Sequence, residues 1–321
     1  MKAIQVHQYG GPEVLQIKDV ALGRPGAGQA LVKIKAAGVN FIDIYQRRGT
    51  YPVPLPYIPG LEAAGVIEEV GDGVALKKGD RVAYIHVPGA YAEACVVKAD
   101  HLILLPQDFS FEQGAAFPLQ GMTAHYLLHE FRKPKPGDVV LIHAAAGGMG
   151  LLLVQWASHL GARVIGTVST EEKARAALEA GASDVIIYTK DDFAKEVKRL
   201  TQNHGADLII DGVGKTTFAG NLTAAATRGH IVIFGAASGP ADPISPNLLM
   251  VKSVSISGGS LFNYLLSREE LLYRSHDVIQ GIQEGWLKLK INSVFPLVEA
   301  PEAHLQLENR KTIGKIILTT S

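Results

Sequence analysis

One stretch, residues 138–161 with the sequence DVVLIHAAAGGMGLLLVQWASHLG, constrains the fold of this chain more than any other. Residues 139–142 are apolar and partly β-branched, which is typical of a buried parallel strand, and an apolar segment of helical length follows after a turn of small residues. Strand, glycine-rich turn and helix in this order begin a βαβ unit that binds a dinucleotide, because the turn admits a pyrophosphate and the first N–H groups of the helix face its charge. The residues predicted to bind there are Ala146, Gly147, Gly148, Met149 and Gly150.

The turn is a loose version of the G-x-G-x-x-G pattern, since Ala145 stands where the first glycine is commoner. A glycine-rich turn without a ligand is therefore the alternative, although the flanking strand and helix favour a nucleotide site. A second glycine-rich segment, GVGKT at 212–216, looks like the end of a phosphate-binding P-loop. That loop needs another glycine five residues before Gly214, where this chain has Ile209, so the sequence argues against an ATPase.

Composition excludes several classes of protein. The chain has 31 Lys and Arg against 31 Asp and Glu, so there is no overall positive field to attract nucleic acid or anionic lipid. Its one cysteine, Cys95, excludes an internal disulfide framework and a four-cysteine zinc site. The first residues alternate polar and apolar side chains, unlike a signal peptide, and no apolar run approaches membrane-spanning length. We therefore expect a cytoplasmic protein.

The pattern of predicted elements indicates two domains. Up to about residue 118 the chain shows short strands separated by turns, such as the alternating segment 30–36, and this predicts a partly open β-barrel. A helix is predicted at about 121–131. Beyond residue 138, strands and helices alternate as in an open, doubly wound parallel sheet, with the second and third strands expected at 163–168 and 184–187. The C-terminal part of the chain, from residue 262, is predicted to contain both helices and strands, and it is expected to complete the first domain. The predicted boundaries are 1–120 with 262–321 for the barrel domain, and 121–261 for the nucleotide domain.

Three blocks carry a family resemblance: GDVVLIHAAAGGMG at 137–150, GVNFIDIY at 38–45 and PGLEAAG at 59–65. Together they resemble the zinc-free, ζ-crystallin-like quinone oxidoreductases of the medium-chain dehydrogenase/reductase superfamily. The resemblance runs nearly end to end, from GGPE at 10–13 to Gly314 and Lys315. It implies a GroES-like barrel domain, a Rossmann domain, and NADPH held between them.

The resemblance also bears on metal. Zinc alcohol dehydrogenases of this superfamily place a cysteine near Asn40 and a histidine near Leu61, whereas this chain has no ligand at either position and keeps only Glu62. His125 and His129 would share one helical face, but no third ligand can be named, so no metal is predicted. Without a Lewis acid, reduction favours a quinone or a conjugated carbonyl, because the product anion is delocalised.

The end of the second Rossmann strand predicts the nicotinamide cofactor. Residues 164–170 carry no acidic residue at the tip to hold ribose hydroxyls, which favours NADPH over NADH. The resemblance implies that four side chains surround the 2′-phosphate: Ser169, Lys173, Tyr188 and Arg310. The alternative for Lys173 is a solvated cation on a helix.

At the substrate end, the resemblance places Asn40 and Tyr45 near the nicotinamide and Tyr51 at the mouth of the site. Their side chains suit orientation of, and hydrogen bonding to, a quinone oxygen. Helix capping by Asn40 and core packing by Tyr45 remain alternatives. Phe234 is expected to line the nicotinamide pocket because it ends a parallel strand, and His143 to stabilise its turn as a neutral imidazole.

The leading hypothesis is an NADPH:quinone oxidoreductase that moves reducing equivalents to a quinone without metal. An NADPH-dependent reductase of enone or alkenal double bonds is the alternative within enzymes. The alternative outside them is an NADPH-bound crystallin-type or RNA-binding protein, against which the balanced charge speaks. Resemblance alone suggests a homodimer formed through the edge strands of the Rossmann sheets.

Overall fold

The computed structural model describes residues 1–310 and 312–320. Within them the strands are, in chain order, β1 (Lys2–Gln5), β2 (Gln16–Asp19), β3 (Gln29–Val39), β4 (Glu62–Val70), β5 (Arg81–Ile85), β6 (Ala94–Lys98), β7 (Leu102–Leu104), β8 (Val139–Ile142), β9 (Arg163–Val168), β10 (Asp184–Ile187), β11 (Ala206–Asp211), β12 (Ala225–Ile233), β13 (Ser255–Gly258), β14 (Ile291–Pro296) and β15 (Lys315–Thr319). The α-helices are α1 (Phe41–Arg47), α2 (Phe111–Ala116), α3 (Pro118–Tyr126), α4 (Gly148–His159), α5 (Glu171–Glu179), α6 (Phe193–Leu200), α7 (Phe218–Ala224), α8 (Arg268–Gln283) and α9 (Ala300–Glu308).

The chain divides into two compact units. Unit 1 comprises Met1–Leu119, Leu265–Ser275 and Leu289–Ser321, and unit 2 comprises Gln120–Tyr264 and His276–Lys288. The sequence assigned 1–120 and the whole of 262–321 to the barrel domain, whereas residues 120, 262–264 and 276–288 group with unit 2. Residues 276–288 are held there by a contact between His125 Nε2 and Asp277 Oδ2 at 2.9 Å, and by hydrogen bonds between Gln155 and the backbone of Lys288.

Unit 1 is built on a seven-stranded sheet in the order β14-β15-β3-β4-β5-β7, with β6 also paired to β3. The pairs are antiparallel except β14 with β15. In β3 the alternation predicted from the sequence is present, since Val32 and Ile34 are completely buried and Lys33 is exposed. The expected GroES-like, partly open barrel is confirmed.

Unit 2 contains a six-stranded parallel sheet in the order β10-β9-β8-β11-β12-β13. The order reverses between β8 and β11, which are neighbours although α4, β9, α5, β10 and α6 lie between them in the chain. This is the doubly wound arrangement, in which ligands bind beyond the carboxyl ends of the strands near the reversal. The predicted Rossmann fold is confirmed, and β8 lies in its middle with every residue buried.

Within the described residues, no helix combines the length and the apolar character needed to cross a membrane.

Candidate active site

The turn between β8 and α4 is tight and is built from small residues. Ala144 has a positive φ of 51°, and its carbonyl oxygen accepts a 2.9 Å hydrogen bond from the N–H of Gly147. Gly147 is the N-cap of α4, so no side chain caps this helix start within the described turn. Gly150 must be glycine, because a Cβ atom there would lie 2.2 Å from the carbonyl oxygen of Ala144.

This turn fits a dinucleotide. The first turn of α4 begins with Gly148, Met149 and Gly150 and carries no acidic side chain, so their N–H groups and the positive end of the helix dipole are left for an anion. Ala146, in the turn before the helix, is buried. The amide of Gln120 packs against Gly148, and its Oε1 would lie 2.4 Å from a Cβ atom built there.

A buried polar network links three strand ends beside the turn. His143 Nε2 lies 2.7 Å from Asn221 Oδ1, and the amide of Asn221 donates to Asp211 Oδ2 at 2.6 Å. Because Asn221 presents an oxygen, His143 must carry its proton on Nε2, and its Nδ1 accepts from the Thr167 hydroxyl at 2.9 Å. Burial lowers the pKa of His143, in keeping with the predicted neutral imidazole. The sequence reasoning did not find Thr167, Asp211 or Asn221.

Asp211 also explains the segment that resembles a P-loop. Its Oδ1 accepts from the backbone N–H groups of Val213 at 2.7 Å and of Gly214 at 3.1 Å. The N–H groups that a P-loop would direct at phosphate are therefore bound to a carboxylate of the chain itself, in keeping with the sequence argument against an ATPase.

The four residues predicted for the 2′-phosphate are divided between the units. Ser169 and Tyr188 follow the neighbouring strands β9 and β10, where the carbonyl oxygen of Ser169 accepts from the Thr189 hydroxyl at 3.0 Å. Lys173 lies half-buried in the first turn of α5. Arg310 belongs to unit 1, where it is exposed after α9.

The first acidic residue after β9, Glu171, is paired with a lysine. Glu171 starts α5, and its Oε1 lies 2.6 Å from Lys190 Nζ. At the end of β12, Phe234 is half-buried, with its ring against Gly212, where a Cβ would lie 2.6 Å from the ring. Phe234 thus stands at the carboxyl edge of the sheet, as the sequence predicted, and its role toward the nicotinamide stays a prediction.

In unit 1, the predicted Asn40 lies at the N-cap position of α1, but its side chain belongs to a buried ionic cluster. Its Nδ2 donates to Glu62 Oε1 at 2.7 Å, and its Oδ1 accepts from Lys315 Nζ at 2.7 Å. Lys315 Nζ also lies 2.5 Å from Glu62 Oε1, and Glu62 Oε2 accepts from the backbone N–H of Leu119 at 2.7 Å. The exposed fraction is 4% for Asn40, 0% for Glu62 and 3% for Lys315, so this ion pair is desolvated.

The two predicted tyrosines lie together. The ring centroids of Tyr45 and Tyr51 are 5.2 Å apart in an edge-to-face arrangement, and the backbone N–H of Tyr51 donates to the carbonyl oxygen of Tyr45 at 3.2 Å. Tyr45 is half-buried, whereas Tyr51 is 49% exposed. The structure therefore brings these two residues together on and after α1, and their contact with substrate stays a prediction.

A second buried network holds α1, and sequence reasoning missed it. Arg47 Nη1 donates to His304 Nδ1 at 3.2 Å, so His304 carries its proton on Nε2, 3.0 Å from the hydroxyl oxygen of Tyr91. The Tyr91 hydroxyl in turn donates to Asp43 Oδ2 at 3.0 Å. Burial, together with Arg47, lowers the pKa of His304 to about 3, and burial raises the pKa of Asp43 to about 7. Arg47 also forms an ion pair with Glu308.

Within residues 1–310 and 312–320, no three His, Cys, Asp or Glu side chains converge to form a metal site. His125 and His129 do share a face, with ring centroids 4.5 Å apart, but they stack on each other, and both contact Trp156 in edge-to-face arrangements. The absence of metal stays a prediction.

Comparison with known proteins covers both units. Residues 26–107 match the family model described as alcohol dehydrogenase GroES-like domain, and residues 148–273 match the one described as zinc-binding dehydrogenase. The chain is 43% identical to a 2-haloacrylate reductase from a Burkholderia species over 98% of each chain. It is 42% identical to a quinone oxidoreductase of Pseudomonas aeruginosa over 99% of each.

A solved structure agrees with these matches. The quinone oxidoreductase of Escherichia coli, crystallised in complex with NADPH, is 41% identical and superimposes with a TM-score of 0.96 over 99% of this chain and 100% of that one. The expected family is confirmed: the chain belongs to the quinone oxidoreductase family of the medium-chain dehydrogenase/reductase superfamily.

Proposed function

We propose that this protein is an NADPH:quinone oxidoreductase that reduces quinones without a metal ion. The proposal draws on full-length relatives that are quinone oxidoreductases and on a structural neighbour that binds NADPH. The observation that carries it in this chain is the state of Glu62, the one carboxylate kept from the zinc-binding pattern. Its charge is balanced by the ammonium of Lys315, and Asn40 and Leu61 stand where the zinc enzymes have ligands.

Metal independence is part of the proposal, although the description of one matched family model names zinc. A cation bound at Glu62 would have to displace a tethered ammonium and would find the Asn40 amide beside the carboxylate, while Leu61 has no atom that could serve as a ligand. The acceptor must therefore be one whose reduction needs orientation and hydrogen bonds more than a Lewis acid, which describes a quinone.

When bound, NADPH supplies the reducing equivalents. In the proposed mechanism the turn of Ala146, Gly147, Gly148, Met149 and Gly150 binds the pyrophosphate through backbone N–H groups. Ser169, Lys173, Tyr188 and Arg310 bind the 2′-phosphate. The pairing of Glu171 with Lys190 supports a preference for NADPH over NADH, because it engages the first carboxylate after β9. Phe234 packs near the nicotinamide. Asn40, Tyr45 and Tyr51 orient the quinone and donate to the oxygen that gains negative charge.

The test is a steady-state survey of the purified protein with NADPH and NADH as donors. The acceptors are benzoquinones, naphthoquinones, α,β-unsaturated carbonyls and 2-haloacrylate, and the reverse assay offers simple alcohols with NADP⁺. We expect quinones to have the highest kcat/KM, NADPH to be preferred, and a chelator to leave the rates unchanged. Oxidation of alcohols that depends on bound zinc, without quinone reduction, would refute the proposal.

The acceptor panel also separates the alternative. A 2-haloacrylate reductase is among the relatives, so a conjugated double bond is the acceptor class to compare with quinones. Higher kcat/KM for enones or haloacrylates than for any quinone would assign the protein to that activity. The balanced charge of the chain gives no support to an RNA-binding role.

We further propose a cytoplasmic homodimer. Strand β13 is at one edge of the parallel sheet of the described residues, and an edge strand can pair with the same strand of a second copy. The cytoplasmic location is supported by the single cysteine, because the chain cannot form an internal disulfide. Sedimentation equilibrium would test the dimer, and subcellular fractionation the location.

A further inference from the structure

The ammonium of Lys315 makes the most unusual contact in unit 1. A lysine that is 3% exposed and lies on the last strand, β15, points into a cluster whose other members come from β4 and from the start of α1. Its two partners are Asn40 Oδ1 at 2.7 Å and Glu62 Oε1 at 2.5 Å. One of those partners is the amide proposed to face the acceptor.

The cluster fixes which way the Asn40 amide is turned. Lys315 is a donor only, so it must face the amide oxygen, and ionised Glu62 is an acceptor only, so it must face the amide nitrogen. Turning the amide over would place the oxygen against the carboxylate and the NH₂ group against the ammonium. Both contacts would then be repulsive, and one amide orientation remains.

Only one of the two amide hydrogens is fully engaged. Nδ2 donates to Glu62 at 2.7 Å, whereas its second contact, with the carbonyl oxygen of Gly38, is 3.5 Å long and correspondingly weak. This second N–H is the group that Asn40 can offer to another acceptor. A positive charge on Oδ1 draws electron density from the amide, which makes this N–H a stronger donor.

We propose that Lys315 is a positioning residue that acts through Asn40: it orients the amide and strengthens its remaining N–H as donor to the acceptor oxygen that becomes anionic. Glu62 completes the orientation from the nitrogen side. The inference rests on the proposed quinone reduction and adds a residue and a charge requirement to it. Lys315 thus stabilises the anionic quinone oxygen indirectly: its charge acts on the Asn40 amide, and the ammonium need not contact the quinone itself.

The experiment compares Lys315→Met with Lys33→Met, a matched control. Lys33 lies on β3 of the same unit, is exposed and pairs with Glu68 at 3.8 Å on the surface. Each variant is assayed with quinones that carry electron-releasing or electron-withdrawing substituents, and NADPH affinity is measured separately by fluorescence titration. Electron-withdrawing groups disperse the charge of the reduced quinone, so its oxygen depends less on a donor.

We expect Lys315→Met to lower kcat by about 10- to 100-fold with electron-rich quinones, less with electron-poor ones, and to leave NADPH affinity within about twofold. Lys33→Met should match the wild type. Glu62→Gln keeps the cation on the amide oxygen, so its loss of kcat should be nearly the same for all quinones. Lys315→Arg provides a charge-conserving variant if Lys315→Met folds poorly, and it should retain the wild-type dependence on the substituents.

A second readout does not require turnover. In ¹⁵N-labelled protein, the side-chain NH₂ signal of Asn40, assigned from the spectrum of Asn40→Ser, should move in Lys315→Met and stay in place in Lys33→Met. An unmoved signal, or an equal loss of kcat with every quinone, would overturn the inference. If the wild type reduces no quinone while the NMR signal moves as expected, the proposed function fails and the orientation of Asn40 by Lys315 stands.

Discussion

Asp43 is the buried group whose ionisation should be most visible in stability. It is completely buried at the start of α1, where Oδ2 accepts from the backbone N–H of Asn40 at 2.8 Å and from the Tyr91 hydroxyl at 3.0 Å. Its Oδ1 has no hydrogen-bond partner among the described residues. Burial dominates and raises the pKa of this carboxyl from 3.8 to about 7.

The raised pKa determines the sign of the pH effect. Below about pH 4 the carboxyl is protonated in both the folded and the unfolded chain. Between pH 4 and pH 7 only the folded chain keeps the proton, so the free energy of unfolding falls as the pH rises. Above about pH 7 the folded chain holds a buried carboxylate, and the free energy of unfolding no longer falls on account of this group. The difference between 3.8 and about 7 corresponds to about 4 kcal/mol, of which about 3 kcal/mol is lost between pH 5 and pH 8.

Replacing Asp43 by asparagine should remove this dependence. The amide oxygen of Asp43→Asn still accepts from Asn40 and Tyr91, and the variant carries no charge. Relative to the wild type, Asp43→Asn should therefore gain about 3 kcal/mol between pH 5 and pH 8, or about 6–12 °C in Tm at two to four degrees per kcal/mol. Other groups titrate in both proteins, so their contributions cancel in the difference.

The assay is thermal unfolding followed by circular dichroism at pH 5 and pH 8, because the two tryptophans lie in unit 2 and would report poorly on unit 1. Asp72→Asn, an exposed aspartate of the same unit, is the control and should show the same Tm difference from the wild type at both pH values. An equal difference at both pH values for Asp43→Asn as well would refute the reasoning.

Three further changes follow from contacts in the two units. Tyr91→Phe leaves the buried N–H of His304 without its acceptor and should lower the free energy of unfolding in urea by about 2–4 kcal/mol. Its control, Tyr57→Phe, removes a buried hydroxyl with no partner among the described residues and should leave the free energy of unfolding unchanged or raise it. Gly150→Ala places a Cβ 2.2 Å from a backbone oxygen and should weaken NADPH binding about tenfold or more in a fluorescence titration, while Gly258→Ala, with 3.7 Å to its nearest atom, should not. Lys173→Ala should raise the KM for NADPH about tenfold and leave the KM for NADH unchanged, and an equal rise for both cofactors would remove this residue from the 2′-phosphate site.

The elements of unit 2 could be predicted because local sequence decides them. The bounds of β8, β9 and β10 are those expected, since each strand is a short apolar run bordered by a turn or a helix signal. In unit 1, β2 was missed because all four of its residues are exposed, so it shows no alternation of buried and exposed side chains. The helix predicted at 121–131 instead begins at Pro118 and ends in a π-helical stretch, Leu127–Phe131. The local sequence pattern does not distinguish this hydrogen bonding from that of an α-helix.

Of the candidate site, the sequence could predict the backbone of the glycine-rich turn better than the contacts between side chains. The glycine-rich turn could be recognised because glycine occurs where the main chain leaves no room for a Cβ atom, as at Gly150. The buried networks were not found because their partners are distant in the sequence: Lys315 and Glu62 are 253 residues apart, and Arg47 and His304 are 257 apart. Asn40 was identified as a site residue without the two side chains that determine its orientation.

Glu62, taken alone, would suggest a zinc site in this chain. Alone in the sequence it looks like what is left of a zinc site, and a family model described by zinc matches the same chain. The structure shows that this buried carboxylate still has a cation beside it, supplied by Lys315. A tethered ammonium neutralises the carboxylate as an ion would, but it has no open coordination position for an alkoxide. Its remaining capacity is to donate hydrogen bonds, and one of these goes to Asn40. On the proposed function, an ammonium in the place of a metal ion should therefore not assist the oxidation of alcohols or the reduction of simple ketones, and should suit acceptors that spread the charge they gain.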